Sequence, residues 1–313
     1  MGVIQVAEPG LFTTVQDLGR EGFGPLGVSA SGAADTLSLR VGNRLLGNAE
    51  GAAGLEMTLV GGSFVFPDGG RVALTGADFG AALDGVPVDM WTSLPVLRGQ
   101  TLRIAATREG ARCYLCVRGG IEVKFFLGSA STHILSGLGG HEGRALRKGD
   151  TLKVGEAQGR TGRHTLTALA RSILAPRKIL RVTPGPQSER FDAASRHAFY
   201  EQKYLVTEES NRMGLRLEGK PIPTPAGGEM ISEGVALGAV QVTEAGKPII
   251  LFVEQQTTGG YPKIANVISA DFRSLGQLRP RQEIQFERVD WQTARELLQE
   301  QEKLLASEER LFA

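Results

Sequence analysis

Short runs of β-branched and aliphatic residues follow one another closely in the first half of the chain, and glycine-containing turns separate them. The runs cover residues 55–66, 71–75, 81–88, 101–106 and 111–117. The dipeptide Asp84-Gly85 inside the third run is the usual signal for a two-residue β-hairpin loop. Closely spaced strands with few helical segments favour a barrel or sandwich over a parallel sheet with crossover helices. We therefore predict a mainly β fold with a few helices.

The charge balance argues against a polyanionic partner. Among 313 residues, 35 Lys and Arg stand against 34 Asp and Glu, so no global basic field attracts nucleic acid or an anionic membrane. No apolar run reaches membrane-spanning length, and the N-terminal MGVIQVAEPG lacks the basic and apolar regions of a signal peptide. We expect a cytoplasmic protein with neither nucleic acid nor a membrane as its partner.

The first segment with helical periodicity covers residues 33–46. Leu37, Val41 and Leu45 recur there at four-residue spacing, which predicts one apolar helix face. We predict Ser31 as the N-cap. Asp35 is placed in the first helical turn, where the helix dipole favours a carboxylate.

Two further helices are predicted in the second half of the chain. Residues 189–204 form one candidate, and residues 290–312 form an amphipathic helix that Asp290 caps. The apolar stripe of the latter is expected to contain Trp291 and Leu305.

The strand pattern divides into two sets, and the stretch between them is the predicted linker. Residues 155–176 show less periodicity, begin in a polar segment and end at a proline. We therefore predict an N-terminal β-barrel region at 1–160 and a C-terminal β-barrel at 177–288. An amphipathic helix at 290–313 follows them.

Cys113 and Cys116, the two cysteines of the sequence, form a C-x-x-C pattern that is compatible with redox or metal chemistry. The surrounding residues have a strand pattern, however. Residues three apart in a strand point to opposite faces, so these thiols could neither pair nor ligate one metal ion. We predict two buried strand residues.

A dense polar segment lies between two apolar runs. The sequence LFVEQQTTGGYPKIANV, residues 251–267, carries amides and hydroxyls into a double glycine and then reaches Lys263. Hairpin loops rarely place so many amides and hydroxyls together. Two interpretations remain open at this point: a turn that satisfies its own backbone, or a binding loop.

A second candidate loop, GLGGHEGRALRKG at residues 137–149, places Arg144 between glycines. An arginine in such a loop can bind a carboxylate with two hydrogen bonds, or it can be a surface residue of a solvated turn. His133, His164 and His197 lack metal-ligand spacing, and no metal site is predicted.

A set of short motifs occurs in a fixed order along nearly the whole chain. These motifs are TTVQDLGR (13–20), SGAAD (31–35), ALTGA (73–77), VRGGI (117–121), PGPQ (184–187), NRMG (211–214), SEG (232–234) and QTTGGYPKIA (256–265). Together they resemble the allophanate hydrolase subunit 2 family, a biotin-dependent carboxyltransferase-like module. The resemblance covers residues from about 3 to 286.

The resemblance implies a fold and partners. The fold would be two cyclophilin-like β-barrel domains. The partner would be an allophanate hydrolase subunit 1-like (KipI-like) subunit that shares the active cleft, with a LamB/YcsF-like third subunit in some complexes. The protein would therefore work in a hetero-oligomer.

The family's members have different activities, and three of these remain open here. The first is that of the C subunit of an ATP-dependent 5-oxoprolinase, which opens the lactam of 5-oxoproline to give glutamate. The second is a carboxyltransferase that moves a carboxyl group from carboxybiotin, carried by another chain, to urea. The third is a non-enzymatic antagonist of a histidine-kinase inhibitor protein. We expect the first, because the sequence holds no biotin carrier.

Two motifs that would indicate a bound cofactor are missing from the sequence. The chain has no Met-Lys-Met sequence for covalent biotin, and no G-K-[ST] ending of a phosphate loop. We expect no covalently bound cofactor, and we expect that any ATP is handled in another way or by another subunit.

The resemblance and the chemistry of amide opening together give the predicted site. Negative charge develops on the amide oxygen, and an ammonium with nearby hydroxyls and backbone N–H groups would stabilise it. We predict Lys263 as that cation, with Asp35 and Glu233 as the catalytic carboxylates. Alternatively, Lys263 forms a structural ion pair with one of those two carboxylates. The predicted substrate-binding residues are Arg118, Arg144, Asn211, Arg212, Gln256, Thr257, Thr258, Gly260 and Tyr261.

The sequence departs from the family pattern at two of these motifs. Asn211 stands where the family often has Asp, and Glu254 stands where Asp often precedes the QTTGGY motif. Either change would tune the choice of substrate or reduce activity.

Overall fold

The computed structural model describes residues 2–157, 164–224 and 230–313. The chain forms two compact units, and each is made from separate stretches of sequence. The first unit contains Met1–Arg20, Ser31–Leu174 and Leu304–Ala313, and the second contains Glu21–Ala30 and Ala175–Lys303.

The first unit is built from two antiparallel sheets. Their strands are β1 (Gly2–Glu8), β2 (Thr13–Gln16), β3 (Gly54–Thr58), β4 (Ser63–Phe66), β5 (Gly70–Gly76), β6 (Ala82–Leu83), β7 (Val86–Pro87), β8 (Ser93–Val96), β9 (Gln100–Arg103), β10 (Arg112–Val117), β11 (Ile121–Glu122) and β12 (Thr151–Val154). One sheet has the order β11-β12-β1-β4-β9-β6-β7 and the other β2-β3-β10-β5-β8. Buried aliphatic and aromatic side chains from strands of both sheets form one core, which includes Ile4, Leu55, Phe64 and Leu115.

The predicted hairpin at Asp84-Gly85 is confirmed. It joins β6 to β7, and both loop residues have positive φ angles, 47° at Asp84 and 84° at Gly85. Positive φ at both central residues is the type I′ arrangement, which matches the twist of the flanking strands.

Helix α1 (Thr36–Leu45) confirms the first predicted helix but begins differently. Asp35, not Ser31, is its N-cap: the Asp35 carboxylate accepts a hydrogen bond from the Ser38 backbone N–H at 3.0 Å. The prediction of Ser31 was wrong because the Ser31 hydroxyl donates instead to the carbonyl of Thr132, at 2.9 Å. Asp35 therefore precedes the first turn and satisfies one of its free N–H groups.

Strand β10 confirms the interpretation of the two cysteines. Both side chains are fully buried and both thiols are free. Cys113 lies in the core between the two sheets, whereas Cys116 packs with Leu37 and Leu45 in the cluster beneath α1. Burial raises the pKa of both thiols, to about 12 at Cys116, so neither is a reactive thiolate at neutral pH.

Part of the predicted linker at 155–176 is helical. Helix α2 (Ala168–Ile173) is capped by Thr167, whose hydroxyl accepts from the Ala170 N–H at 3.1 Å. Residues 158–163 of that linker lie outside the described part of the chain. The Ala170 side chain is buried, so this segment belongs to the packed first unit.

The second unit contains a closed barrel of seven strands. The described strands of this unit are β13 (Ile179–Pro184), β14 (Tyr204–Val206), β15 (Gly214–Glu218), β16 (Glu233–Gly234), β17 (Ala239–Val242), β18 (Pro248–Leu251), β19 (Thr258–Gly259), β20 (Lys263–Val267) and β21 (Glu283–Arg288). The barrel order is β13-β20-β17-β18-β15-β14-β21, while β16 and β19 pair separately. The closed barrel confirms the mainly β, barrel-containing fold class.

In its described residues, the second unit also contains the helices α3 (Ala193–Glu201) and α4 (Phe272–Gln277) and most of α5 (Trp291–Ala306). The prediction of one helix over 189–204 was too long, because Asp192 caps α3 and Tyr204 already begins β14. Phe199 of α3 stacks on Phe286 of β21 with ring centroids 4.5 Å apart.

The C-terminal helical segment begins as predicted at Asp290, whose carboxylate accepts from the Thr293 N–H at 2.7 Å. The predicted apolar stripe was partly wrong, because Trp291 is 70% exposed. Leu304 and Leu305 at the end of α5 are buried instead, and α6 (Glu308–Leu311) follows. The chain after Lys303 belongs to the first unit, where Leu304, Leu305 and Leu311 join the cluster beneath α1.

Across residues 2–157, 164–224 and 230–313, the helices are all too short or too polar to cross a lipid bilayer.

Candidate functional site

Lys263, at the start of β20, is a buried charged residue of the second unit. Its side chain is only 2% exposed, and its Nζ lies 2.5 Å from Oε1 of Glu233, which is 43% exposed. A buried ammonium must be paired, because its desolvation is costly. The ion pair that the sequence offered as an alternative to a catalytic Lys263 is therefore present, and it joins two of the three predicted catalytic residues.

Residues 256–261, which contain Gly259 and Gly260 and form the double-glycine segment, make a short β ladder with the segment that carries Glu233. Glu233 pairs with Gly259 and Gly234 with Thr258, so β16 and β19 run antiparallel. The ladder continues with a hydrogen bond of 3.1 Å from the Val235 N–H to the carbonyl of Thr257. The sequence predicted Glu233 and the double-glycine segment as parts of one site, and the fold brings them together.

Gln187 completes this arrangement, and sequence reasoning missed it. Its Nε2 donates to Oε1 of Glu233 at 2.8 Å, and its Oε1 accepts from the Lys263 backbone N–H at 3.1 Å. The turn before it requires glycine, because a Cβ at Gly185 would lie 2.3 Å from the carbonyl oxygen of Lys263. The PGPQ motif that contains Gln187 was a signal in the sequence, but no role was assigned to its glutamine.

Electrostatics keep the Glu233 carboxylate ionised. The hydrogen bond from Lys263, followed by that from Gln187, holds the pKa of Glu233 below its usual value of 4.5. A carboxylate with a lowered pKa carries no proton at neutral pH. Glu233 therefore holds the ammonium in place as an anion, and it is not a proton donor in this arrangement.

The predicted substrate-binding residues of the double-glycine segment lie shortly before Lys263 in the sequence, and they differ in exposure. Gln256, Thr258 and Tyr261 are exposed, whereas Thr257 and Gly260 are partly buried. The carbonyl of Gly260 accepts a hydrogen bond from the Met230 N–H at 3.3 Å. The hydroxyl and amide groups of the exposed residues are therefore accessible to a ligand beside a buried cation.

Asn211 and Arg212 make contacts within the protein. The Asn211 Oδ1 accepts from the backbone N–H groups of Met213 and Gly214, at 2.8 and 3.4 Å, which is a side-chain turn. Nε of Arg212 lies 2.5 Å from Oε1 of Glu254, and both side chains are buried. The glutamate at the position where the family often has aspartate is thus the ion-pair partner of a predicted site residue.

Asp35, the third predicted catalytic residue, is 3% exposed. Both of its oxygens bind Ser38, one at the backbone N–H and the other at the hydroxyl, at 3.0 and 2.6 Å. The Asp35 N–H donates to the Tyr114 hydroxyl, which in turn donates to the buried Glu56. These contacts are those of a helix cap within a buried polar network.

The two predicted carboxylate-binding arginines lie in the first unit. Arg144 already binds a carboxylate of its own chain: its Nη1 and Nη2 lie 2.7 and 3.0 Å from the two oxygens of Asp150. These hydrogen bonds lower the pKa of Asp150 to about 2. Arg118 lines a cavity of about 620 Å³ with Arg98 and Asp68.

The twelve predicted site residues are divided between the units: Asp35, Arg118 and Arg144 belong to the first, and the other nine to the second. Their roles in substrate binding and catalysis remain predictions. In the described ranges, His, Cys, Asp and Glu side chains form no group of three that could hold a metal ion.

The sequence profile of the family described as "Carboxyltransferase domain, subdomain A and B" matches residues 26–288. The chain belongs to this family. The Lys263–Glu233 pair and the ladder of β16 and β19 therefore lie within its carboxyltransferase domain.

Two curated proteins illustrate the similarity. The C subunit of 5-oxoprolinase from Escherichia coli (strain K12) is 40% identical over 303 residues, which are 96% of each chain. The urea amidolyase of Saccharomyces cerevisiae is 34% identical over 323 residues, which are 97% of this chain but 18% of that protein. This carboxyltransferase domain thus resembles both a whole subunit and a small part of a much longer enzyme.

Solved structures support the same relation. The crystal structure of the K. lactis urea amidolyase superposes with a TM-score of 0.90 at 29% identity, covering 99% of this chain and 20% of that one. The Kluyveromyces lactis urea carboxylase gives a TM-score of 0.88 at 29% identity, over 99% and 30% of the two chains. The carboxyltransferase domain has the same fold in these proteins.

Proposed function

We propose that this protein is the C subunit of an ATP-dependent 5-oxoprolinase, a complex that opens the lactam of 5-oxoproline to give glutamate. The observation that carries the proposal is the 40% identity to the C subunit of the Escherichia coli 5-oxoprolinase, which extends over 96% of both chains. A relative of the same length that is named as a subunit also supports work in a complex.

The second unit supplies groups that suit lactam opening. Water adds to the lactam carbon, the carbon–nitrogen bond breaks, and the nitrogen takes up a proton to become the free amine. During addition, negative charge develops on the carbonyl oxygen, where a pre-oriented ammonium and hydroxyl donors are most effective. Lys263, which Glu233 and Gln187 fix in place, is the proposed cation, and the exposed Thr258 hydroxyl is a further donor.

The remaining parts of the reaction are assigned to other subunits. We assign the second half of the active cleft to an allophanate hydrolase subunit 1-like (KipI-like) partner, and propose a LamB/YcsF-like third subunit. ATP consumption belongs to the assembled complex, because the sequence has no phosphate loop of the G-K-[ST] type.

The test is reconstitution of the complex by co-expression, followed by an assay of ATP-dependent glutamate release from 5-oxoproline. Lys263→Met should lower turnover by about 10²–10³-fold, the usual effect of losing one oxyanion donor. Lys203→Met is the matched control, because Lys203 forms a similar pair with Glu283 at 3.1 Å but both side chains are more than 60% exposed. Turnover by Lys263→Met within a few-fold of the parent would exclude the proposed catalytic role.

A biotin-dependent carboxyltransferase is the second candidate. The fold of the K. lactis urea amidolyase, matched at a TM-score of 0.90, favours it. In this case carboxybiotin from another chain would deliver its carboxyl group to urea. Carboxylation of urea that requires bicarbonate and ATP and that avidin blocks would establish this activity, while glutamate release insensitive to avidin would exclude it.

A further inference from the structure

Gln241, on β17, is a buried polar residue to which sequence analysis assigned no role. Its side chain is 2% exposed, and within the described part of the chain its Nε2 has no hydrogen-bond partner. Buried amide groups are nearly always hydrogen-bonded, because leaving a donor unsatisfied costs its full desolvation. A buried amide without a hydrogen-bond acceptor for its N–H groups therefore requires an explanation.

The position of Gln241 relates it directly to the candidate site. It pairs with Lys263 across β17 and β20, and directly opposed residues of antiparallel strands place their side chains on the same face. The register shifts between Val240 and Gln241, so that Ile264 is an extra residue on β20. Such bulges redirect side chains and are over-represented next to active sites.

A glycine of the double-glycine segment makes room for this amide. A Cβ at Gly259 would lie 2.5 Å from Nε2 of Gln241 and 2.7 Å from Nε2 of Gln256. Gly259 does not have a positive φ, so space, and not backbone conformation, is what requires glycine here. Two nitrogens so close to one point can donate to one shared oxygen, since an N–H···O bond spans about 2.7–3.2 Å.

We propose that Gln241 is a substrate-binding residue whose Nε2, together with that of Gln256, donates to a carbonyl or carboxylate oxygen of the substrate next to Lys263. This inference rests on the proposed function and names the chemical group that its substrate presents. 5-Oxoproline carries both kinds of oxygen. Occupation of the site gives the Gln241 donor the hydrogen bond that it lacks in the free protein.

The experiment replaces the amide by an apolar group of similar size. Gln241→Leu in the assembled complex should weaken 5-oxoproline binding by about 10–100-fold, the effect of losing a hydrogen bond to a charged acceptor. Its melting temperature should equal or exceed that of the parent, because no protein hydrogen bond of this donor is lost. Titration calorimetry and thermal melting measure the two effects.

Gln285→Leu is the matched control. The Gln285 amide, on β21, donates to the Tyr200 carbonyl at 3.1 Å, so its loss should lower the melting temperature and leave 5-oxoproline affinity unchanged. If Gln241→Leu behaves like this control, Gln241 is a structural residue and the inference fails. Unchanged affinity and unchanged melting of Gln241→Leu would also overturn it.

The same measurements distinguish a failure of the Gln241 role from a failure of the 5-oxoprolinase function. A parent complex that binds no 5-oxoproline contradicts the proposed function. In that case the melting comparison still decides the nature of Gln241: a variant at least as stable as the parent supports an unpaired donor, and a less stable one refutes it.

Discussion

Substituting Gly259 by alanine should separate activity from stability. The new Cβ would lie 2.5 Å from Nε2 of Gln241 and 2.7 Å from Nε2 of Gln256, whereas ordinary contacts begin at 3.4 Å. The Gln241 nitrogen would therefore retreat by about 0.9 Å, which lengthens a hydrogen bond of about 2.9 Å to about 3.8 Å, beyond the bonding range. Loss of such donors at a site of developing charge typically costs about 10²–10³ in turnover.

The melting temperature of this variant should change much less than its turnover, because the two closest atoms are side-chain ends and the next neighbour, Val235 Cγ1, would lie at 3.3 Å and need shift only slightly. Gly259 does not have a positive φ. Alanine at a compatible glycine position stabilises by about 0.4–1 kcal/mol, since it restricts the unfolded chain. For a domain of 150–250 residues, this corresponds to a rise of at most about 4 °C in melting temperature.

Gly234→Ala is the control for this experiment. Gly234 lies on the other strand of the same two-stranded ladder, and a Cβ there would meet no atom within 4 Å. Both variants would be assayed for glutamate release in the reconstituted complex and for thermal melting. Equal turnover by Gly259→Ala, Gly234→Ala and the parent would refute the reasoning, and so would a large fall in the melting temperature of Gly259→Ala.

Two further predictions concern charge pairs. Glu254→Ala should lower the free energy of unfolding by about 3–5 kcal/mol in denaturant titration, because it leaves the buried Arg212 guanidinium without this carboxylate. The double variant Arg212→Met/Glu254→Leu should lose much less unfolding free energy, and a loss equal to the sum of the two single variants would contradict the coupling. Asp150→Asn should lower the free energy of unfolding, measured by denaturant titration, by about 2 kcal/mol above pH 4, since Arg144 lowers the Asp150 pKa from 3.8 to about 2. A lowered carboxyl pKa stabilises the folded state above the unfolded pKa, so this difference should shrink as the pH falls towards 2; a difference independent of pH would point to another cause.

The structural features that the sequence predicted correctly depend on contacts between residues close together in the chain. The alternation of a strand placed Cys113 and Cys116 on opposite faces, and Asp84-Gly85 determined its own turn type. Both predictions needed only a few neighbouring residues. The prediction of Ser31 as the N-cap of α1 was wrong because it needed a distant contact: the Ser31 hydroxyl donates to the carbonyl of Thr132, 101 residues away.

The candidate site shows the same division. The motifs QTTGGY and SEG identified Lys263 and Glu233, and the fold pairs them. Gln187 lies 46 residues from Glu233 and 76 from Lys263, so only the closed barrel reveals that its amide bridges them. Gln241 stands out because its buried Nε2 has no hydrogen-bond acceptor among the described residues. This depends on how the folded chain packs, so the sequence could not predict it.

The assignment of residues 304–313 to the first unit affects the order in which the protein folds during synthesis. Multidomain chains generally fold from the N-terminus as they leave the ribosome. Here the cluster beneath α1 requires Leu304, Leu305 and Leu311, which are translated after the entire barrel of the second unit. We therefore expect the N-terminal unit to keep an apolar surface, which chaperones can bind, until residues 304–311 have left the ribosome and packed beneath α1.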